Sequence, residues 1–332
     1  MRKEQKIIAA IVVIGVVIGS TGIIVYLNQT GGKETLVIST TTSLYDTGLL
    51  DTIKETYESV NTHVILAFIS HGTGIALEEA RNGDADMVLV HSPSQEYPFM
   101  NASYGVNRKI FAYNFFTIVG PADDPAGING TTPTVALQKI LQYGRLHNET
   151  IWVSRDDLSG TNAKEMSLWS QAGYNYTEIR DEAWFVSSGS GMGTTLNMAN
   201  QLNLYTLSDI GTYLKYFSSG LISLKQLIAE GQDLLNVYSA IAVNSTTVSS
   251  VKFQASMEFI QWIVSSSAQD LIANYGVADY GQPLFFSAVS IVQSGQPTQI
   301  YQWIRSYAFY NYDGTLYECP PAWRVGNYGL YP

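Results

Sequence analysis

Between residues 35 and 265 the chain alternates short apolar runs with stretches in which apolar positions recur every three or four residues. Residues 35–39 (TLVIS) read as a buried strand, and Leu49, Leu50, Ile53 and Tyr57 follow at helical spacing. A second strand is expected over 63–69, a helix over 75–82 and a third strand over 86–91. The long apolar and aromatic run 110–119, ending at Gly120-Pro121, reads as a crossing between two lobes. A further series follows: helix over 135–143, strand over 150–154, helix over 163–172, strand over 184–186, then another helix start. Residues 204–207 read as a return strand and 235–243 as a strand re-entering the first lobe. Phe253, Met257, Ile260 and Val264 mark the apolar face of a longer helix. Strands and helices alternating through short loops predict an α/β fold on a mostly parallel sheet. Beyond Ser290 the sequence becomes rich in Tyr and Trp around Pro320-Pro321, a tail whose aromatics are expected to dock on the body.

The first 33 residues stand apart. Arg2, Lys3 and Lys6 precede an uncharged apolar segment over about 7–27, long enough for a bilayer core. The positive flank places the body outside, whether the segment stays as an anchor or is cleaved as a signal peptide. The apolar run continuing through Ile23-Ile24-Val25 favours the anchor. Cys319 is the only cysteine, which excludes an intrachain disulfide and a lipid-modified N-terminal Cys. Asn28, Asn101, Asn129, Asn148, Asn175 and Asn244 each open an N-x-S/T sequon, as in a surface-exposed glycoprotein. The 332 residues are 46% hydrophobic and only 14% charged, with a net charge of −10. That balance argues against nucleic acid and anionic lipid as partners of the whole surface. A local anion site remains open to an acidic protein.

Four strand-to-helix connections share one chemistry. Thr41-Thr42-Ser43, Gly72-Thr73-Gly74, Ser159-Gly160-Thr161 and Gly191-Met192-Gly193-Thr194 each join small residues and hydroxyls to the free amides of a helix start. Singly, each is an ordinary cap. Together, two in each presumed lobe and at the carboxyl ends of strands, they predict an anion cleft. Arg155 follows the strand 150–154 and precedes Thr161 by one short loop. It is either a surface arginine paired with Asp156 or Asp157, or a guanidinium fork aimed at two oxygens of a tetrahedral anion. Hydrogen bonds to charged groups contribute roughly 1.5–3 kcal/mol each, so several in a closed cleft suffice without a metal.

Enzyme chemistry finds less support. His63, His71, His91 and His147 lie apart, with no H-E-x-x-H and no Cys/His cluster, so no zinc site is predicted. His71, beside Gly72-Thr73, is the histidine to watch, against the plainer reading of a loop histidine bonded to backbone. Gly189-Ser190-Gly191-Met192-Gly193 mimics a dinucleotide fingerprint, but its third glycine falls one position early. A surface hydrolase or transferase needs a nucleophile–base pair, and no pair close in sequence presents itself.

The order of these motifs resembles the substrate-binding proteins of ABC-type tungstate transporters. The matching stretches begin with Thr40-Thr41-Thr42-Ser43 and Asp46-Thr47-Gly48-Leu49-Leu50, then Gly72-Thr73-Gly74, Gly83-Asp84-Ala85-Asp86 and Val88-Leu89-Val90-His91. Tyr104-Gly105-Val106-Asn107-Arg108, Tyr113-Asn114 and Val119-Gly120-Pro121 follow. Next come Ser154-Arg155-Asp156 with Ser159-Gly160-Thr161, then Gly191-Met192-Gly193, Tyr205-Thr206-Leu207, Gly211-Thr212-Tyr213-Leu214 and the run from Tyr280 to Phe285. The S-R-D-x-x-S-G-T run with G-M-G downstream is the most specific part.

The resemblance implies a two-lobed periplasmic-binding-protein fold of type II, with two crossings between lobes. Residues 34–117 and 216–290 would form lobe 1 and 118–215 lobe 2, with 1–33 as anchor or signal and 291–332 as tail. It implies an oxyanion in the cleft on Arg155 and Thr161, with Thr42, Ser43, Thr73 and Ser190 as further candidates by position. The function implied is capture of tungstate outside the cell and delivery to an ABC permease, by a monomer without cofactor or catalysis. Molybdate, sulfate or phosphate are the alternatives, and a surface hydrolase on a similar framework a remoter one. Relatives usually carry arginine where this chain has Ile210, and the tail has no counterpart in the pattern.

Overall fold

The computed structural model of the chain describes residues 32–229, 231–326 and 328–330. The predicted anchor or signal segment and the sequon at Asn28 lie outside the described residues. Among the described residues no helix is long and apolar enough to cross a membrane.

Among the described residues ten strands build the main sheet: β1 (Glu34–Thr41), β2 (Val64–His71), β3 (Met87–Val90), β4 (Gly105–Gly120), β5 (Trp152–Ser154), β6 (Phe185–Ser187), β7 (Tyr205–Asp209), β8 (Lys225–Ile228), β9 (Leu235–Val243) and β10 (Phe286–Ser287). Their order is β2-β1-β3-β9-β4-β7-β5-β6, with β8 and the short β10 also paired to β4. The sheet is mixed rather than mostly parallel. β1 runs parallel to β2 and β3, and β5 parallel to β6 and β7. Every pair that involves β4 or β9 is antiparallel. Hydrophobic runs alone cannot report this, because strand direction depends on where the connecting chain returns.

β4 is the axis of the fold. Sixteen residues rise roughly 50 Å as an extended strand. Its first part pairs with β9, from Gly105↔Val243 to Phe115↔Leu235, and its last part with β7, from Phe116↔Asp209 to Val119↔Thr206. β7 does not return to the first group of strands. It stays beside β5, and the return is made between β8 and β9 through the turn Gln232–Leu234.

Hydrophobic side chains gather on both sides of this handover. The helices Leu49–Val60 and Phe253–Ile263 lay Leu50, Ile53, Tyr57, Met257 and Ile260 over Leu36, Ile38 and Leu89. At the other end Trp152, Trp169 and Trp184 pack with Phe116, Ile140 and Leu168. The Trp152 and Trp169 rings meet edge to face at 5.6 Å, a geometry that adds about 0.5–1.5 kcal/mol to the area buried.

The helix Pro93–Asn101 has no counterpart in the periodicity, since Pro93 and Pro98 interrupt it. It buries Glu96, which accepts Ser92 N–H at 2.8 Å and Arg108 Nε–H at 2.8 Å. The tail folds as a helix (Thr298–Ala308) and a hairpin of β11 (Tyr310–Tyr312) and β12 (Thr315–Tyr317). It docks on the first residues of β4. Arg108 Nη1 donates to the carbonyls of Ala308 and Glu318, each at 2.9 Å. The Glu318 carboxylate pairs with Lys109 Nζ at 2.7 Å and accepts Ile110 N–H at 2.7 Å. Cys319 is buried there, its Sγ 3.8 Å from the Trp323 carbonyl oxygen.

Candidate anion site

The four predicted connections follow β1, β2, β5 and β6, at their carboxyl ends, and each opens a helix. Local chemistry explains the starts. Thr41 Oγ1 accepts Leu44 N–H at 3.4 Å, and Ser159 Oγ accepts Asn162 N–H at 3.1 Å. The helices Thr73–Asn82 and Met192–Leu202 begin at Gly72 and Gly191 with no side-chain cap, so amides of their first turns stay available. The loops converge. Gly74 N–H donates to Leu158 C=O at 3.4 Å, bringing the β2 loop against the β5 loop. A β-carbon at Gly72 would sit 3.3 Å from Ser159 Cα, and one at Gly160 only 2.8 Å from His91 Cε1.

Arg155 is buried, with 2% of its side chain exposed. Its Nε and Nη2 donate to Asp157 Oδ2 at 3.1 and 2.5 Å, and Nη2 also donates to Thr42 Oγ1 at 3.2 Å. Both readings of this arginine therefore hold in part: it is paired with Asp157, yet inside the cleft and bonded across it. Asp156 turns away to Arg180 and Ser187. No protein partner among the described residues is recorded for Nη1, which leaves its two N–H groups as donors. Burial raises Asp46 and Asp209 above the usual carboxylate range, Asp209 to about 6. The Arg155 guanidinium pulls both back.

Thr73 and Thr161 are fully buried, and neither Oγ1 has a hydrogen-bond partner. Two orphaned hydroxyls on facing loops beside a free guanidinium edge are what an oxyanion would satisfy. Ser43 is differently placed. Its hydroxyl lies 3.1 Å from His91 Nε2 and 3.4 Å from Thr41 Oγ1. Asn114 donates to Leu284 C=O at 3.2 Å and so offers Oδ1 to Asn236 Nδ2 at 2.9 Å. Asn236 then turns its own Oδ1 to His91 Nδ1 at 2.9 Å. This chain of bonds puts the imidazole proton on Nδ1 and makes Nε2 the acceptor of the Ser43 hydroxyl proton. Burial, against the Asn236 bond and helped by the nearby Arg155 and Lys164 charges, pushes His91 down to about 3.

Ser190 is the outlier of the six. It is partly exposed, and its recorded bonds are backbone ones, N–H to Ser188 Oγ at 3.3 Å and C=O from Thr195 Oγ1 at 3.3 Å. Its neighbour Gly191 is what approaches Thr42; a β-carbon there would lie 3.6 Å from Thr42 Oγ1. His71 is not part of the site. It is exposed and meets Glu79 at 3.1 Å. His91 is the histidine behind the loops, and the signal for it was its place at the carboxyl end of an all-buried strand. Ile210 opens a helix and packs against Val153 and Tyr213. Among the described residues no cluster of His, Cys, Asp and Glu is placed to hold a metal ion.

Comparison with known proteins fits this geometry. Residues 28–267 match the family model of the PBP superfamily domain. The chain is 36% identical to the tungstate-binding protein TupA of Peptoclostridium acidaminophilum over 263 residues, 78% of this chain and 87% of that protein. The structure of tungstate-binding protein TupA from Desulfovibrio alaskensis G20 superposes with a TM-score of 0.64 at 38% identity, covering 76% of this chain and 98% of that one. The tungstate ABC transporter protein from Geobacter sulfurreducens gives a TM-score of 0.65 at 37% identity, over 73% and 99% of the two chains. The chain belongs to the PBP superfamily and, within it, to the family of tungstate-binding proteins of ABC transporters.

Proposed function

We propose that this protein is a solute-binding receptor that captures tungstate between the four loops and hands it to an ABC permease. The observation that carries the reading is the pair of buried, unpartnered hydroxyls of Thr73 and Thr161 on opposed loops next to Arg155. Thr42 completes the ring with its hydroxyl and Ser43 with its backbone N–H, its hydroxyl proton being committed to His91, and Gly191 closes one side through its backbone. Residues 34–115 and 235–290 act as one lobe, and the end of β4 with β5 to β8 as the other, with the anion stabilising the closed arrangement by its differential affinity. The names of the relatives support tungstate over molybdate, sulfate or phosphate. No catalytic step is assigned to the chain: the Ser43–His91 contact is sealed under the Gly160 helix start rather than open to a substrate. The N-terminal segment serves as the membrane anchor in this reading. Among the sequons, Asn101, Asn129, Asn148 and Asn175 are exposed, whereas the Asn244 amide is buried against the Ser103 carbonyl and is unsuited to a glycan.

Calorimetric titration of the protein with tungstate, molybdate, sulfate and phosphate tests the reading. Tight binding of tungstate with weaker or no binding of sulfate and phosphate is expected. No heat with any of the four would remove it.

A further inference from the structure

Lys164 stands one helical turn beyond Thr161, on the same face of the helix Gly160–Gln171. Its side chain is buried, and its ammonium donates to the Asp233 backbone carbonyl at 3.1 Å. The same nitrogen lies 3.9 Å from the centroid of the Tyr307 ring and 5.8 Å from that of Phe116. It opens on a cavity of about 160 Å³ that Ser92, Ser94 and Ser167 help to line. Among the described residues no carboxylate pairs with it.

Arg155 is in the opposite situation. Asp157 holds it at 2.5 Å, and Asp46 and Asp209 lie within its field. The arginine thus supplies directed N–H groups but little net potential, and a dianion brought into the cleft needs positive charge from elsewhere. We infer that Lys164, which no salt bridge engages among the described residues, supplies positive charge that holds a dianion between the loops, acting through its field and not by contact. This rests on the oxyanion reading of the site. Lys164 lies close to the site: its cavity is lined by Ser92, next in the chain to His91, which packs under Gly160 and bonds to Ser43, and its charge is among the causes that lower His91. Low-dielectric surroundings preserve such a field over distances at which water would screen it.

The groups that face the ammonium are His91 with Ser92 and Ser94 after β3, Asp233 before β9, Phe116 on β4, Tyr307 on the tail helix and Glu165 beside it in the chain. Burial, partly offset by Asp233, lowers the Lys164 amine to about 7. A dianion nearby favours its charged form, so capture near neutral pH takes up a proton. His91, at about 3, stays neutral throughout that range. Glu165, raised to about 7 by burial, also titrates there, so variants must separate the two.

The test is calorimetry of the full chain with sodium tungstate from pH 6 to 8.5, in two buffers of different ionisation enthalpy. The wild-type protein should take up a fraction of a proton and bind about tenfold more weakly at pH 8.5 than at pH 6, one unit of pKa difference being tenfold. Lys164→Met should weaken binding about tenfold or more at pH 6, and Lys164→Arg should bind with no proton uptake. Wild-type protein that binds without proton uptake overturns the inference and leaves the oxyanion reading standing. So does uptake that persists in Lys164→Arg, which would assign the proton to Glu165. Wild-type protein that ignores tungstate at every pH overturns the oxyanion reading itself. Should Lys164→Met fail to fold, the wild-type and Lys164→Arg measurements decide alone.

Discussion

Replacing Thr161 by valine should move stability and affinity in opposite directions. Valine has nearly the shape of threonine without the hydroxyl, and Thr161 Oγ1 is buried at 1% exposure with no partner in the unliganded chain. An unmade hydrogen bond of this kind costs about 1–3 kcal/mol, so the unliganded Thr161→Val protein should gain about 1 kcal/mol in stability. For a chain of 332 residues that is a rise of about 1–2 °C in Tm. The same hydroxyl is a donor to the anion, and a hydrogen bond to a charged group contributes about 1.5–3 kcal/mol. Tungstate affinity should therefore fall roughly 10- to 150-fold. Thr73→Val should behave alike. The β2 and β5 loops touch through Gly74 and Leu158, so the double variant should depart from additivity by about 0.5 kcal/mol or more. Urea unfolding without ligand and calorimetry with tungstate give the two quantities. A variant that binds within twofold of the parent, or that is less stable without ligand, refutes the argument that these hydroxyls wait for an acceptor.

Arg155→Ala should weaken tungstate at least tenfold by removing the Nη1 donors and the bridge to Thr42, as calorimetry would show; unchanged affinity would put the site elsewhere. Glu318→Ala should destabilise the fold by about 3 kcal/mol, because it takes a partner from buried Lys109 and an acceptor from Ile110 N–H. Urea unfolding measures this, and a loss under 1 kcal/mol would mean the tail is loosely held. Burial raises Glu165 to about 7 and Asp209 to about 6 in the folded chain, above ordinary carboxylates. Through these two groups the fold binds protons that the unfolded chain has released, a contribution to stability that rises as pH falls from 7 to 5 and that His91, held at about 3, opposes because its unfolded imidazole protonates in the same range. Each group contributes up to about 1.4 kcal/mol per pH unit. Glu165→Gln should flatten that slope in urea titrations at pH 5, 6 and 7, and an unchanged slope would contradict the assignment.

Much of this was legible in residue order. The loops after β1, β2, β5 and β6 announce themselves because small residues, hydroxyls and a change of periodicity coincide there, and they converge because the two parallel pairs run in opposite senses and end toward each other where β9 gives way to β7 along β4. Arg155 was recognisable as a candidate, but its ion pair with Asp157 and its bond to Thr42 compete for the same nitrogens, and only three-dimensional placement shows that both are made. The strand directions around β4 were not legible, since an apolar run reads alike in either sense. Nor was the role of His91. Its partners Ser43 and Asn236 lie 48 and 145 residues away, and no local pattern encodes a bond across that separation. The helix Pro93–Asn101 stayed hidden because its two prolines speak against helix, while buried Glu96 and the tail that docks on Arg108 override them.

The single passage of β4 through both groups of strands has a mechanical meaning. Where β9 leaves off at Phe115 and β7 takes over at Phe116, β4 is one of two backbone links between the two panels of strands, the other being the return from β8 to β9. A panel joined to such a spine swings by torsion shared among a few neighbouring peptide units, not by a loose flap opening at a glycine. Closure about an ion would accordingly be read as a change of twist along β4, a strand buried along nearly its whole length, rather than as a movement confined to one loop.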